Sequence, residues 1–125
     1  MNVVDSSGWL EYFADSENAA IFAPVIGDSD HLMAPAICIY EVFKRILTQS
    51  RLSTVQTHIG DMYIGHIVDI DGSLARSAAQ LSAQEKLPTA DSLILAVVRA
   101  HNAVLWTQDE HFKGLAGVQY IEKPE

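Results

Sequence analysis

The sequence predicts an α/β fold on a mostly parallel sheet, and three observations carry that expectation. Short apolar runs alternate with longer stretches of helical periodicity along the chain, the rhythm of strand–helix–strand units. The 125 residues are 49% hydrophobic, enough for one domain, residues 1–125, to bury a core without disulfides. No internal repeat, low-complexity stretch or linker interrupts the alternation.

Residues 2–5 read as the first strand. Ser6 or Ser7 can cap a helix over Gly8–Ala14. A second helix follows Asp15-Ser16 and runs to about Gly27, kinked or shortened by Pro24. His31–Ala34 is a second strand, stopped by Pro35. The third helix runs from Pro35 or Ala36 to Gln49, with Ile39, Phe43, Ile46 and Leu47 as its core stripe. Ser53 to about Gly65 is a fourth helix, and Ile67–Ile70 a third strand. Residues 73–85 form a helix with Leu74, Ala78 and Leu81 on one face. Pro88 and Thr89 open the next helix, which reaches about His101. Ala103–Trp106 is a fourth strand, Glu110–Leu115 a helical turn, and Val118–Ile121 a last strand.

The net charge is −8, with only 8 Lys and Arg, which argues against a general DNA or membrane coat protein. A nuclease is not excluded, because carboxylates gathered to hold metal inflate the negative count. A single cysteine, Cys38, fits a reducing compartment. Met1 leads into an apolar stretch without a basic leader, so no signal peptide is expected. No run reaches about 18 apolar residues. The expected location is the cytoplasm, away from membranes.

Four acids stand out because each lies in or beside a core-forming segment: Asp5, Glu41, Asp91 and Asp109. Three fall at the C-terminal end of a strand or in the first turn of a helix, the edge at which parallel sheets gather ligands. Carboxylates there are costly unless neutralised, and a hard divalent cation is the simplest common partner for four. Each also has a plainer reading. Asp5 is a natural turn residue. Glu41 faces away from the third helix's apolar stripe and can pair with Lys44 or Arg45. Asp91 can be a first-turn acid favoured by the helix dipole, although its helix is apolar almost all round, and Arg99 could fold back to it. Asp109 can be an N-cap above Phe112, with Thr107 beside it as an ordinary strand-end residue or as a hydroxyl orienting a carboxylate.

Other patterns carry less. Asp69-Ile-Asp71-Gly72-Ser73 resembles the opening motif of haloacid-dehalogenase-type phosphatases, but too little chain follows, and Asp-Gly is a common turn pair. A phospho-acceptor domain would need paired acids after the first strand and a late strand-end lysine, which are missing. His31, His58, His66, His101 and His111 show no ligand spacing. A pair of histidines acting as acid and base would leave the four acids unexplained. Trp9, Tyr12 and Phe13 lie near Asp5 and can stack on bases, though helical spacing favours Trp9 and Phe13 for core or dimer contacts.

Taken together, Val3-Val4-Asp5-Ser6-Ser7, Ile39-Tyr40-Glu41-Val42, Leu87-Pro88-Thr89-Ala90-Asp91-Ser92-Leu93-Ile94-Leu95-Ala96 and Thr107-Gln108-Asp109-Glu110-His111-Phe112 resemble, in order and separation, the conserved segments of PIN-domain proteins, specifically VapC-type toxins of toxin–antitoxin pairs. The resemblance covers nearly the whole chain. It implies a three-layer α/β/α sandwich and a Mg²⁺- or Mn²⁺-dependent endoribonuclease. It further implies a homodimer inhibited by a small antitoxin. Carried over by position, Asp5, Glu41, Asp91 and Asp109 become the acidic quartet, and Ser7 and Thr107 supporting contacts to metal or its waters. Single-stranded or looped RNA is the expected substrate. Lys44, Arg45, Lys86, Arg99 and Lys113 are candidate phosphate contacts because they lie near the acids in sequence. The rival reading is a PIN-like interaction module in which metal serves stability alone.

Overall fold

Among the described residues five short segments pair into one sheet: Asn2–Val4 (β1), Leu32–Pro35 (β2), His66–Val68 (β3), Val104–Thr107 (β4) and Val118–Tyr120 (β5). The structure is a computed structural model, and it describes residues 1–49 and 52–125. Every pairing is parallel, in the order β3-β2-β1-β4-β5. Among the described residues six helices connect and cover the strands: Ser6–Ala14 (α1), Ala19–Gly27 (α2), Ala36–Leu47 (α3), Leu52–Met62 (α4), Gly72–Glu85 (α5) and Thr89–Ala100 (α6). The junction of α3 and α4 at 50–51 lies outside the described residues.

Strands of a sheet covered on both faces must be apolar at successive positions, because neighbouring side chains point to opposite sides. Val3 and Val4 are both fully buried, and all four residues of β2 are buried. Right-handed crossovers outward through β1, β2 and β3 put α1 to α4 on one face, and the return to β4 puts α5 and α6 on the other. The result is the three-layer α/β/α arrangement expected from the sequence. Strand order reverses at β1, which has β2 on one side and β4 on the other. The crevice beyond the C-terminal ends of β1 and β4 is therefore the switch point at which such sheets bind ligands.

Several boundaries differ from the sequence reading, each for a local reason. The cap of α1 is Asp5, whose carboxylate accepts from the Gly8 N–H, rather than Ser6 or Ser7. The helix after Ser16 begins only at Ala19, which leaves Pro24 inside α2. Pro35 does not stop β2 but pairs with Val68 as its last residue. The fourth helix ends at Met62, because Gly65 runs against β2, where a Cβ would stand 2.7 Å from the Leu32 carbonyl oxygen. The buried stripe of α3 is Cys38, Val42 and Ile46, while Leu47 is 45% exposed. Ile39 and Phe43 pack against the core from the side. Trp9 is fully buried, which removes it as a base-stacking residue, and the Phe13 ring stacks on His58 at 4.4 Å.

Gly8 lets α1 lie against β1 and α2. A Cβ there would meet Val4 Cγ1 at 2.6 Å and the Phe22 ring at 2.7 Å, both of them fully buried groups with nowhere to go. Gly8→Ala is therefore expected to lower the unfolding free energy by about 1–3 kcal/mol. Urea denaturation reads this as a lower midpoint at constant m value, and an unchanged midpoint would mean that α1 shifts outward at no cost.

Candidate metal centre

β1 delivers Asp5 to the switch point, where it is 2% exposed. Its Oδ1 accepts from the Ser7 hydroxyl at 2.7 Å and from the Gly8 N–H at 3.1 Å, and its Oδ2 accepts from the Thr107 hydroxyl at 2.7 Å. A carboxylate offers about four lone-pair sites, so one on Oδ2 remains. The same hydroxyls also bind the loop after β4: Thr107 Oγ1 accepts from the Asp109 N–H at 2.9 Å, and Ser7 Oγ from the Gln108 N–H at 3.3 Å. These contacts join two chain segments about a hundred residues apart.

Asp91 is 8% exposed in the first turn of α6, a helix buried at Ser92 and from Ile94 to Val98. Asp109 caps a short 3₁₀ turn, Glu110–Phe112, by accepting the His111 N–H at 3.0 Å. The His111 ring lies between the two acids, with Nδ1 2.9 Å from Asp91 Oδ2 and 3.1 Å from Asp109 Oδ1. Glu41 approaches from α3 and accepts from the Ser6 hydroxyl at 2.6 Å. Among the described residues, the group whose ligand atoms all lie within 4.8 Å of one another is Asp91, Asp109 and His111.

Electrostatics mark the centre as short of positive charge. Burial pushes the Asp5 carboxyl up to about 6, against the pull of its Ser7, Thr107 and Gly8 donors, and the charge of Asp109 adds to the rise. Asp91 is pushed up to about 7 by burial and by the charge of Asp109, with His111 opposing. Burial beneath the centre, reinforced by the Asp5 charge, raises the Cys38 thiol well above its ordinary value. Among the described residues no Lys or Arg forms an ion pair with any of the four acids. Oxygen donors that converge in a buried place and repel one another are the donor set a hard divalent cation takes. Asp91 and Asp109 lie close enough together to share such an ion, and Asp5 is coupled to both through its charge, while Glu41 contacts Ser6.

The candidate cations fall in different places. Lys44 and Arg45 line a cavity of ≈ 360 Å³ with Ser6, Tyr40 and Glu41. Lys86 is the left-handed residue that ends α5 (φ 56). Arg99 stands in the last turn of α6, about 12 Å along the helix from Asp91 by helical rise, and does not fold back to it. Lys113 is 3.6 Å from Glu122 and lies over the Tyr120 ring. Asp71 caps α5 through the Leu74 N–H, and Asp69 lies exposed beyond β3, so that acid pair belongs to a turn away from the centre.

Two residues at the centre were not singled out in the sequence. Ser6, read as a cap, holds Glu41. His111, set aside with the other histidines, meets Asp91, 20 residues earlier in the chain. The available signal was its place between Asp109 and the fully buried Phe112: burying one neighbour turns the other outward toward the crevice.

The sequence profile of the PIN domain matches residues 3–118. A toxin–antitoxin complex from Klebsiella pneumoniae superposes with a TM-score of 0.80 at 21% identity, covering 95% of this chain and 96% of that one. VapC20 of Mycobacterium tuberculosis, described as a sarcin-ricin loop cleaving toxin, gives 0.79 at 13% identity over 94% and 97% of the two chains. VapBC2 of Rickettsia felis, bound to a DNA fragment from its promoter, gives 0.74 at 13% identity over 95% and 97%. No curated protein sequence matches significantly. At these identities the likeness to solved structures is one of fold.

The raised carboxyls make stability depend on pH. Both folded values lie above the ordinary aspartate value of 3.8, so the folded protein binds more protons than the unfolded chain between about pH 4 and 7. The stabilisation is fully present below pH 4 and is lost as pH rises through about 6 and 7. Thermal melts of metal-stripped protein are expected to show the contribution of these groups to Tm falling across that window, and millimolar Mn²⁺ at pH 7.5 restoring it.

Proposed function

The chain belongs to the PIN domain family, and from that premise we propose that it is a divalent-metal-dependent endoribonuclease and the toxin of a toxin–antitoxin pair. The observation that carries this reading is that Asp5 and Asp91 are buried and Asp109 half-buried at the switch point, coupled through their charges and without Lys or Arg to neutralise them. No helix among the described residues is long and apolar enough to cross a membrane. The proposed setting is the cytoplasm, with a homodimer as the working form. The toxin–antitoxin composition of the similar Klebsiella complex supports a small antitoxin as partner.

The residues divide the work. Thr107, Ser7 and the Gly8 N–H hold the Asp5 carboxylate in one orientation, so its remaining lone pair faces the crevice without reorganisation. In this reading Asp91 and Asp109 supply further oxygens beside His111, and Glu41, oriented by Ser6, adds one from α3. Together the four acids would hold Mg²⁺ or Mn²⁺, which when bound supplies positive charge for the phosphodiester and a more acidic water at neutral pH.

Single-stranded RNA has a path in this reading. The cavity beside Glu41 presents Lys44 and Arg45 for phosphates, and Tyr40, 59% exposed, offers an aromatic face for a base. A second hollow sharing Leu10 and Arg45 continues toward Lys123.

Incubation of total RNA with the protein and Mg²⁺ or Mn²⁺ is expected to give discrete cleavage. Asp5→Asn or Asp91→Asn should reduce the rate by roughly 100-fold or more, the scale seen when a charge-stabilising group is removed. Unaltered cleavage in both variants would dismiss this centre. Metal-raised melting without cleavage of varied RNAs would favour the interaction-module reading instead. Lys44→Ala with Arg45→Ala is expected to weaken binding of single-stranded RNA and to flatten its salt dependence by about 0.7 per lost contact. Metal-dependent melting should be unchanged in that double variant.

A further inference from the structure

We propose that His111 is a metal ligand through Nδ1, sharing one cation with Asp91 and Asp109, so that this centre prefers a first-row transition ion such as Mn²⁺ or Fe²⁺ over Mg²⁺. The inference rests on reading the acidic centre as a metal site and does not depend on RNA being the substrate.

The geometry is already close to that of one coordination sphere. Adjacent donors on an octahedral ion at about 2.1 Å stand about 3 Å apart. Nδ1 is 2.9 Å from Asp91 Oδ2 and 3.1 Å from Asp109 Oδ1. A single ring nitrogen carries at most one proton, so it cannot give a full hydrogen bond to both carboxylates at once. One cation among the three satisfies all of them. The same three side chains form the group whose ligand atoms lie within 4.8 Å of one another.

The ring is held there by the chain around it. Asp109 accepts the His111 N–H, which fixes the residue's backbone beside the acid. Phe112, fully buried, anchors the turn from below. The side chain of His111 is itself 59% exposed, so its far edge meets solvent and core packing does not fix its orientation. Contact with the two carboxylates is what orients it.

Donor chemistry then sets the ion. Mg²⁺ takes oxygen ligands and keeps its waters, and it gains little from imidazole. Imidazole suits iron, nickel and zinc, and affinity for sites with nitrogen donors rises along the first row from Mn²⁺. A centre with one nitrogen among its oxygens discriminates against Mg²⁺ in a way that a purely carboxylate centre does not.

The test uses the full-length, metal-stripped protein without RNA. Pulsed EPR of the Mn²⁺-loaded wild type is expected to show coupling to one imidazole nitrogen, lost in His111→Gln. Titration calorimetry should show Mn²⁺ affinity falling roughly 10-fold or more in His111→Gln, with Mg²⁺ affinity changed less than about twofold. Equal melting temperatures of the two metal-free proteins establish that the variant is folded, and the wild-type spectrum decides the matter even if the variant is not. Bound Mn²⁺ with no nitrogen coupling, or an unchanged ratio of Mn²⁺ to Mg²⁺ affinity in the variant, would overturn the proposal and leave the acidic centre standing. Failure of the wild type to bind either ion would overturn both. Nitrogen coupling in a protein that cleaves no RNA would support this inference while removing the nuclease reading.

Discussion

The hydrogen bond from Thr107 to Asp5 is the contact on which the rest of this structure turns. It joins the end of the central strand to the end of its neighbour across a separation of 102 residues. Its other partners extend the joint: the Asp5 N–H donates to the Trp106 carbonyl, Asp5 caps α1 through Gly8, and Thr107 receives the Asp109 N–H. One buried carboxylate thus starts a helix, closes a sheet seam and orients the loop that carries Asp109 and His111. Three donors, each a neutral hydroxyl or amide, do not restore an ordinary acidity to it. Desolvation at this position outweighs what such hydrogen bonds return.

That imbalance separates this part of the molecule from the remainder. Elsewhere the acids are spent in ordinary ways, Asp71 as a helix cap and Glu122 beside Lys113. At the crevice, Asp5 and Asp91 sit near-buried among oxygens and one imidazole. Local choices that oppose stability in an otherwise consistent fold are the usual mark of a functional site. The scaffold bearing the strain is well packed, with Val3, Val4, Leu105 and Phe112 all fully enclosed around it.

Much of this was legible in the order of residues. The apolar runs of β1, β2 and β4 announced those strands, because a doubly covered sheet has to be apolar at consecutive positions, while the edge strands β3 and β5 carry exposed His66 and Gln119. Asp5, Asp91 and Asp109 were visible because they end or begin such segments. The face of α3 was not. Cys38, Val42 and Ile46 form one apolar row, and Ile39, Phe43 and Leu47 an equally apolar row beside it, so periodicity could not decide which one the core would take. The partnership of His111 was hidden for a different reason. Its meaning lies in Asp91, on another element, and no spacing along one helix or strand encodes it. Ser6 and Ser7 were equally ambiguous, since a hydroxyl ahead of a helix serves as well for a cap as for a carboxylate two residues back, which Ser7 holds, or on another helix, which Ser6 holds.

The position of β1 between β2 and β4 also governs how the protein comes into being. As the chain is synthesised, the first strand finds its partner at residue 32 early, but its other flank stays open until residue 104 is available. Throughout that interval a strand with two fully buried valines has one unpaired edge, a template for unwanted association. The donor from position 107 and the side chains at 109 and 111 arrive later still. A chain that ends before them lacks the Thr107 hydroxyl from which the Asp5 carboxylate accepts.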